Sequence, residues 1–190
     1  MGKAIKPGDI IAFSGKDYVS DLINICSLGI PRVSVHHVGL TAELHGDILL
    51  YESKGLDAPC CRSGKPVEGV QAHLLSEVIE QTKDSAIWHY PLRRELYRHE
   101  IDRLHYFLDS KVGISYDMPG AIWSGGILVN LLGRYFRPED TSSLFCSELA
   151  MAAMVEVGIF ATNDISGWSP NRLCRTLVKN GILDRPVRMK

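Results

Sequence analysis

The chain has 190 residues, 45% of them hydrophobic and 23% charged. That length fits one domain with a sizeable core, and that composition excludes a disordered tail, a coiled coil or a collagen-like repeat. Lys and Arg total 21 against 22 Asp and Glu, for a net charge of −1. No global field draws the chain to nucleic acid or anionic lipid, and nothing reads as one stripe of Lys and Arg.

In chain order, Met1 to Gly8 lacks the apolar run of a secretory signal. Asp9 to Ser14 reads as a short buried strand between Gly8 and Gly15. Asp17 to Cys26 fits a helix, ended by Gly29-Ile30-Pro31. His37 to Ala42 and Ile48 to Ser53 read as two strands, with His45-Gly46-Asp47 as their hairpin turn. Gly55 to Gly69, with Pro59, Pro66 and the adjacent Cys60 and Cys61, reads as a loop.

Leu74 to Gln81 fits a short helix, and Ala86 to Tyr90 another strand. Glu95 to Val112 is the clearest helix, with Tyr97, Ile101, Leu104 and Leu108 as a stripe facing the core. Gly113 to Tyr135 is rich in Gly and aromatics. Its uncharged part, Gly120 to Gly133, is shorter than the ~20 residues that span a bilayer. Leu144 to Val157 fits a helix with a small-residue face of Ala150, Ala153, Met154 and Val157. Ser169 and Pro170 cap a last helix that ends near Gly181. Strands and helices mix without regular alternation, which favours an α+β domain over a doubly wound sheet. No integral membrane segment is expected, and the chain reads as cytoplasmic.

Five cysteines, at 26, 60, 61, 146 and 174, cannot all pair within the chain. No CxxC spacing supports a zinc site, so no metal and no cofactor is expected. Free thiols in a reducing compartment are the simplest reading, and one of them can be a nucleophile. Cys146, at the start of the Leu144 helix, would meet the positive end of the helix dipole and free amide groups. Both favour the thiolate form and could stabilise an oxyanion. The plainer alternative is a cysteine buried in a small-residue face.

His37 shares a strand face with Gly39 and Thr41. The glycine leaves a gap that a substrate or a second side chain could fill. His36 points the opposite way and stays the alternative base. If the hairpin closes symmetrically around His45-Gly46, Gly39 lies opposite Glu52. His37 and Glu52 are then diagonal neighbours on one face, within reach of each other. A carboxylate there can hold the imidazole in one tautomer and orientation. A nucleophile, a base and an orienting acid together make a complete apparatus.

Gly8-Asp9-Ile10-Ile11, His37-Val38-Gly39-Leu40, Tyr51-Glu52, Tyr116-Asp117, Phe145-Cys146-Ser147-Glu148-Leu149 and Ser169-Pro170 follow in that order. In these motifs the sequence resembles the YiiX-like branch of the NlpC-type, papain-like cysteine hydrolases, a circularly permuted group in which the histidine strand precedes the cysteine helix. The resemblance covers roughly residues 7 to 175. It implies a permuted papain-like fold, a central antiparallel sheet packed against helices. It also implies Cys146 as nucleophile, His37 as base, Glu52 as the orienting residue, and Tyr116 near the nucleophile as an oxyanion or substrate contact. The activity it implies is hydrolysis of an amide in a small cell-wall-type peptide or acyl-amide substrate. Acyl transfer or thioester cleavage on lipid-like substrates with the same residues, and a silent binding module of the same fold, are the alternatives.

Overall fold

A computed structural model describes residues 3–15, 35–56, 58–83, 85–114, 138–162 and 168–190, with the backbone alone for 138–145. The expected helix Asp17–Cys26, the stretch Gly120–Gly133 and Tyr116 lie outside the described residues.

Six strands form one antiparallel sheet: β1 (Ile10–Ser14), β2 (His37–Leu44), β3 (Asp47–Lys54), β4 (Gly69–Leu74), β5 (Ala86–Tyr90) and β6 (Val187–Arg188). Their order is β4-β3-β2-β1-β5-β6. Four helices accompany them among the described residues: α1 (Leu75–Gln81), α2 (Arg98–Lys111), α3 (Pro138–Glu156) and α4 (Pro170–Lys179). The domain is therefore α+β, as the irregular mixture of elements predicts.

Strand alternation sorts the sheet's side chains onto two faces. Ile10, Ala12, Val38, Leu40, Ala42, Leu49, Tyr51, Val70 and Ala72 face the larger core, which α2, α3 and α4 cover. Ile11, Phe13, Leu50 and Ile87 face a smaller one, closed by Leu75 of α1. Residues 146–156 of α3 contain no exposed position, so this part of the helix is wrapped in the core rather than laid on it.

Three local expectations change. Gly69–Leu74 is a strand, and most of it falls within no expected element. Its alternation of Val70, Ala72 and Leu74 with Gln71 and His73 is the period of a strand. Tyr97 is 65% exposed at the N-terminus of α2, not part of a buried stripe, while Leu104 and Leu108 are buried as expected. There the Glu100 carboxylate accepts from the Tyr97 amide at 2.8 Å. Finally, α3 begins at Pro138, not Leu144. Pro138-Glu139-Asp140 supplies the first-turn proline and acids that start helices.

The chain around the sheet is fastened by two buried or half-buried carboxylates. Asp9 accepts from the amides of Lys6 at 2.9 Å and Leu92 at 2.8 Å, and meets His89 Nε2 at 2.6 Å. Asp109 accepts from the Tyr51 hydroxyl at 2.6 Å and from Arg62 Nε at 2.7 Å. This second contact ties the loop between β3 and β4 to α2. Cys60 also holds that loop, since its sulfur accepts from the Ala72 amide at 3.3 Å.

Candidate active site

The hairpin positions the first two residues. His45 and Gly46 have φ of 53° and 91°, the left-handed pair that a two-residue type I′ turn requires. The resulting pairing runs from Leu44↔Asp47 to Leu40↔Tyr51. Carried one step further, it sets Gly39 against Glu52. His37 and Glu52 then sit diagonally on the smaller-core face, and His37 Nε2 lies 2.7 Å from Glu52 Oε2. The gap at Gly39 is taken by a side chain, not left open. A Cβ there would lie 2.6 Å from Leu50 Cδ1 and 3.1 Å from the Tyr51 carbonyl oxygen.

Glu52 is 2% exposed. Lys54, two residues along the same strand face, brings Nζ to 2.8 Å from Glu52 Oε1. That oxygen has no well-directed hydrogen bond, so the contact is an ion pair by proximity. Burial would push the Glu52 carboxyl up. The hydrogen bond and charge of His37, then the charge of Lys54, outweigh burial and hold it at about 2. On the next strand Gln71, paired with Glu52, donates to the carbonyls of Lys54 at 3.3 Å and Gly55 at 3.0 Å. These bonds brace the end of β3 that carries the carboxylate.

The imidazole also meets the thiol. Burial would lower the pKa of His37. The charge of Cys146 and a hydrogen bond to it, and after them those of Glu52, raise it from 6.5 to about 10. Since Nε2 faces Glu52, Nδ1 is the nitrogen left for the sulfur. His37 is the first residue of β2, so its ring stands where the sheet ends and can bridge between Glu52 on one face and α3 on the other. The Phe13 ring, 5.5 Å away between centroids, packs beside it. His36 is directed elsewhere, with Nδ1 accepting from the Gly15 amide at 3.0 Å.

Cys146 is 1% exposed and lies more than two turns inside α3. Only the first four amides of a helix lack internal partners. The expected help from a helix N-terminus is therefore absent at this residue, and His37 is one of its partners. Cys174 of α4 is the neighbouring thiol. Burial raises its pKa, and the negative charge of Cys146 raises it further. Ser147 donates its hydroxyl to the Trp168 carbonyl, which ties α3 to the start of α4.

Thus the structure brings Cys146, His37 and Glu52 together, and Tyr116 lies outside the described residues. Lys54, Gln71 and Phe13 were not singled out in the sequence. Lys54 alone had a readable signal there, as the cation two residues from Glu52 on one strand face. Cavities of about 630 and 170 Å³ come near the site through Cys174 and Lys54, but neither is lined by Cys146, His37 or Glu52. No group of three or more metal-ligating side chains occurs among the described residues, nor any helix long and apolar enough to cross a membrane. Neither the protein-family models nor the curated proteins contain a match to this chain.

Proposed function

We propose that the protein is a cysteine hydrolase of the permuted papain-like type, cleaving an amide bond in a small peptide or acyl-amide substrate. The observation that carries this reading is the continuous chain Cys146–His37–Glu52, in which one imidazole serves a thiol and a buried carboxylate at once. The order of strand histidine, strand glutamate and helix cysteine, and the antiparallel sheet that presents the first two, support the fold assignment.

In this mechanism the Cys146 thiolate attacks the substrate carbonyl while His37 is an imidazolium. As the tetrahedral intermediate collapses, His37 gives its proton to the leaving amine, and a thioester remains on Cys146. Neutral His37 then takes a proton from water, the hydroxide attacks the thioester, and the returned proton restores the thiol–imidazole pair as the acid departs. Glu52 keeps Nε2–H engaged throughout, so Nδ1 carries the exchanging proton. The thiolate draws its stabilisation from His37, since α3 starts too early to supply it.

An alkyne-tagged haloacetamide tests this. Cys146 should label in preference to the four other thiols, and His37→Ala or Glu52→Gln should suppress that preference. Equal labelling of all five cysteines, or labelling of Cys146 indifferent to both variants, would overturn the reading.

A further inference from the structure

A cavity of about 630 Å³ lies against α4, its wall including Tyr90, Arg172, Cys174, Arg175, Thr176 and Lys179. Arg172, Arg175 and Lys179 stand three and then four residues apart, the spacing of neighbours on one helix face. Among the described residues no carboxylate lines the cavity. Neither Arg172 nor Lys179 enters an ion pair with a carboxylate of the described residues. The near-zero charge of the whole chain conceals these three cations along one cavity.

Two features make the cavity more than a basic surface. Arg172 is already oriented, its guanidinium stacked 4.5 Å from the centroid of the Trp168 ring. On the buried side, Tyr90 is 6% exposed and its hydroxyl has no partner among the described residues, although it can donate one hydrogen bond. Thr176 adds a second hydroxyl, while Val178 and Pro186 supply apolar wall. The volume lies in the range of small-molecule sites, well above what one inorganic anion needs. A planar guanidinium fork, a lysine and hydroxyl donors match a phosphate group, which carries up to two negative charges and three acceptor oxygens.

We propose that the α4 cavity binds an organic phosphate, with Arg172, Arg175 and Lys179 on its phosphate group, Tyr90 donating to it, and the organic portion against Val178 and Pro186. The binding groups are separate from Cys146, His37 and Glu52, although Cys174 on the cavity wall neighbours Cys146. The phosphate can belong to a soluble metabolite or to a lipid headgroup.

Calorimetric titration with phenyl phosphate at low salt tests the site. Wild type should bind one equivalent saturably. Arg172→Ala/Lys179→Ala, both at exposed positions, should lose about 10-fold or more in affinity, given the usual worth of charged hydrogen bonds. Tyr90→Phe should weaken binding with the ring kept. Lys65→Ala/Arg98→Ala removes two exposed cations elsewhere and should leave affinity unchanged. Sedimentation with phosphatidylcholine vesicles containing phosphatidate separates the sources. Co-sedimentation lost in the Arg172/Lys179 variant supports the site with a lipid headgroup as its ligand. Phenyl phosphate binding without co-sedimentation supports it with a soluble one. No binding of phenyl phosphate by wild type, or equal affinity in the Arg172/Lys179 variant, overturns the proposal.

Discussion

Replacing Cys146 by alanine should change how His37 titrates. Three influences act on the ring: burial, which favours the neutral form, and Cys146 and Glu52, which favour the charged one. Their balance sets the pKa at about 10. Cys146→Ala removes the leading favourable influence and leaves burial opposed by Glu52 alone. An opposite charge within ~4–6 Å is worth about 1–3 pH units, so the midpoint should fall to ~7–9. At about 1.4 kcal/mol per unit, the sulfur contributes some 1.4–4 kcal/mol to protonation of the ring. The assay is an NMR titration of the imidazole Cε1–H, with the His37 resonance assigned by its loss in His37→Gln. A wild-type midpoint near 6.5, or a Cys146→Ala midpoint within about half a unit of wild type, would refute the pairing.

Stability should report the same trio. The raised His37 stabilises the fold fully below pH 6.5 and loses that contribution as pH rises through about 10. The lowered Glu52 stabilises above pH 4.5 and loses its contribution as pH falls through about 2. Both act in full between those limits, so Glu52→Gln should cost most near pH 5.5, about 3–5 kcal/mol for breaking a buried pair, read as the drop in melting temperature across pH. Gly39→Ala should destabilise by about 1–3 kcal/mol, because the new methyl meets Leu50 and a strand carbonyl that cannot yield. In a denaturation cycle Leu50→Ala should relieve part of that cost, and strictly additive losses would contradict the contact. Asp9→Ala should cost about 3 kcal/mol or more by chemical denaturation, since it strands His89 and two amides.

The hairpin was legible because its information is local. Two residues with left-handed backbone set the turn, and strand period then fixes which side chains share a face. The distance between His37 and Glu52 follows from that alone. Other features were not legible, for identifiable reasons. The alternation of Val70, Ala72 and Leu74 with Gln71 and His73 runs over only six residues, too short to stand out beside the polar loop before it. The start of α3 was misplaced because the apolar pattern begins near Leu144, while the helix is begun by Pro138 and the acids after it. Tyr97 fits the spacing of a buried stripe but falls at the helix end, where the apolar face has not yet met the core. The meeting of Cys146 with His37 joins positions 109 residues apart. Only tertiary packing, or the family resemblance, could bring them together.

The place of β1 in the sheet governs the order in which a growing chain can assemble this domain. β1 comes first in sequence but sits near the middle, between β2 and β5. Its second neighbour is made only when residues 86–90 appear. The hairpin that pairs His37 with Glu52 needs nothing beyond Lys54. His37 and Glu52 are both synthesised long before Cys146, so the thiol can gain its partner only after the first five strands have been made.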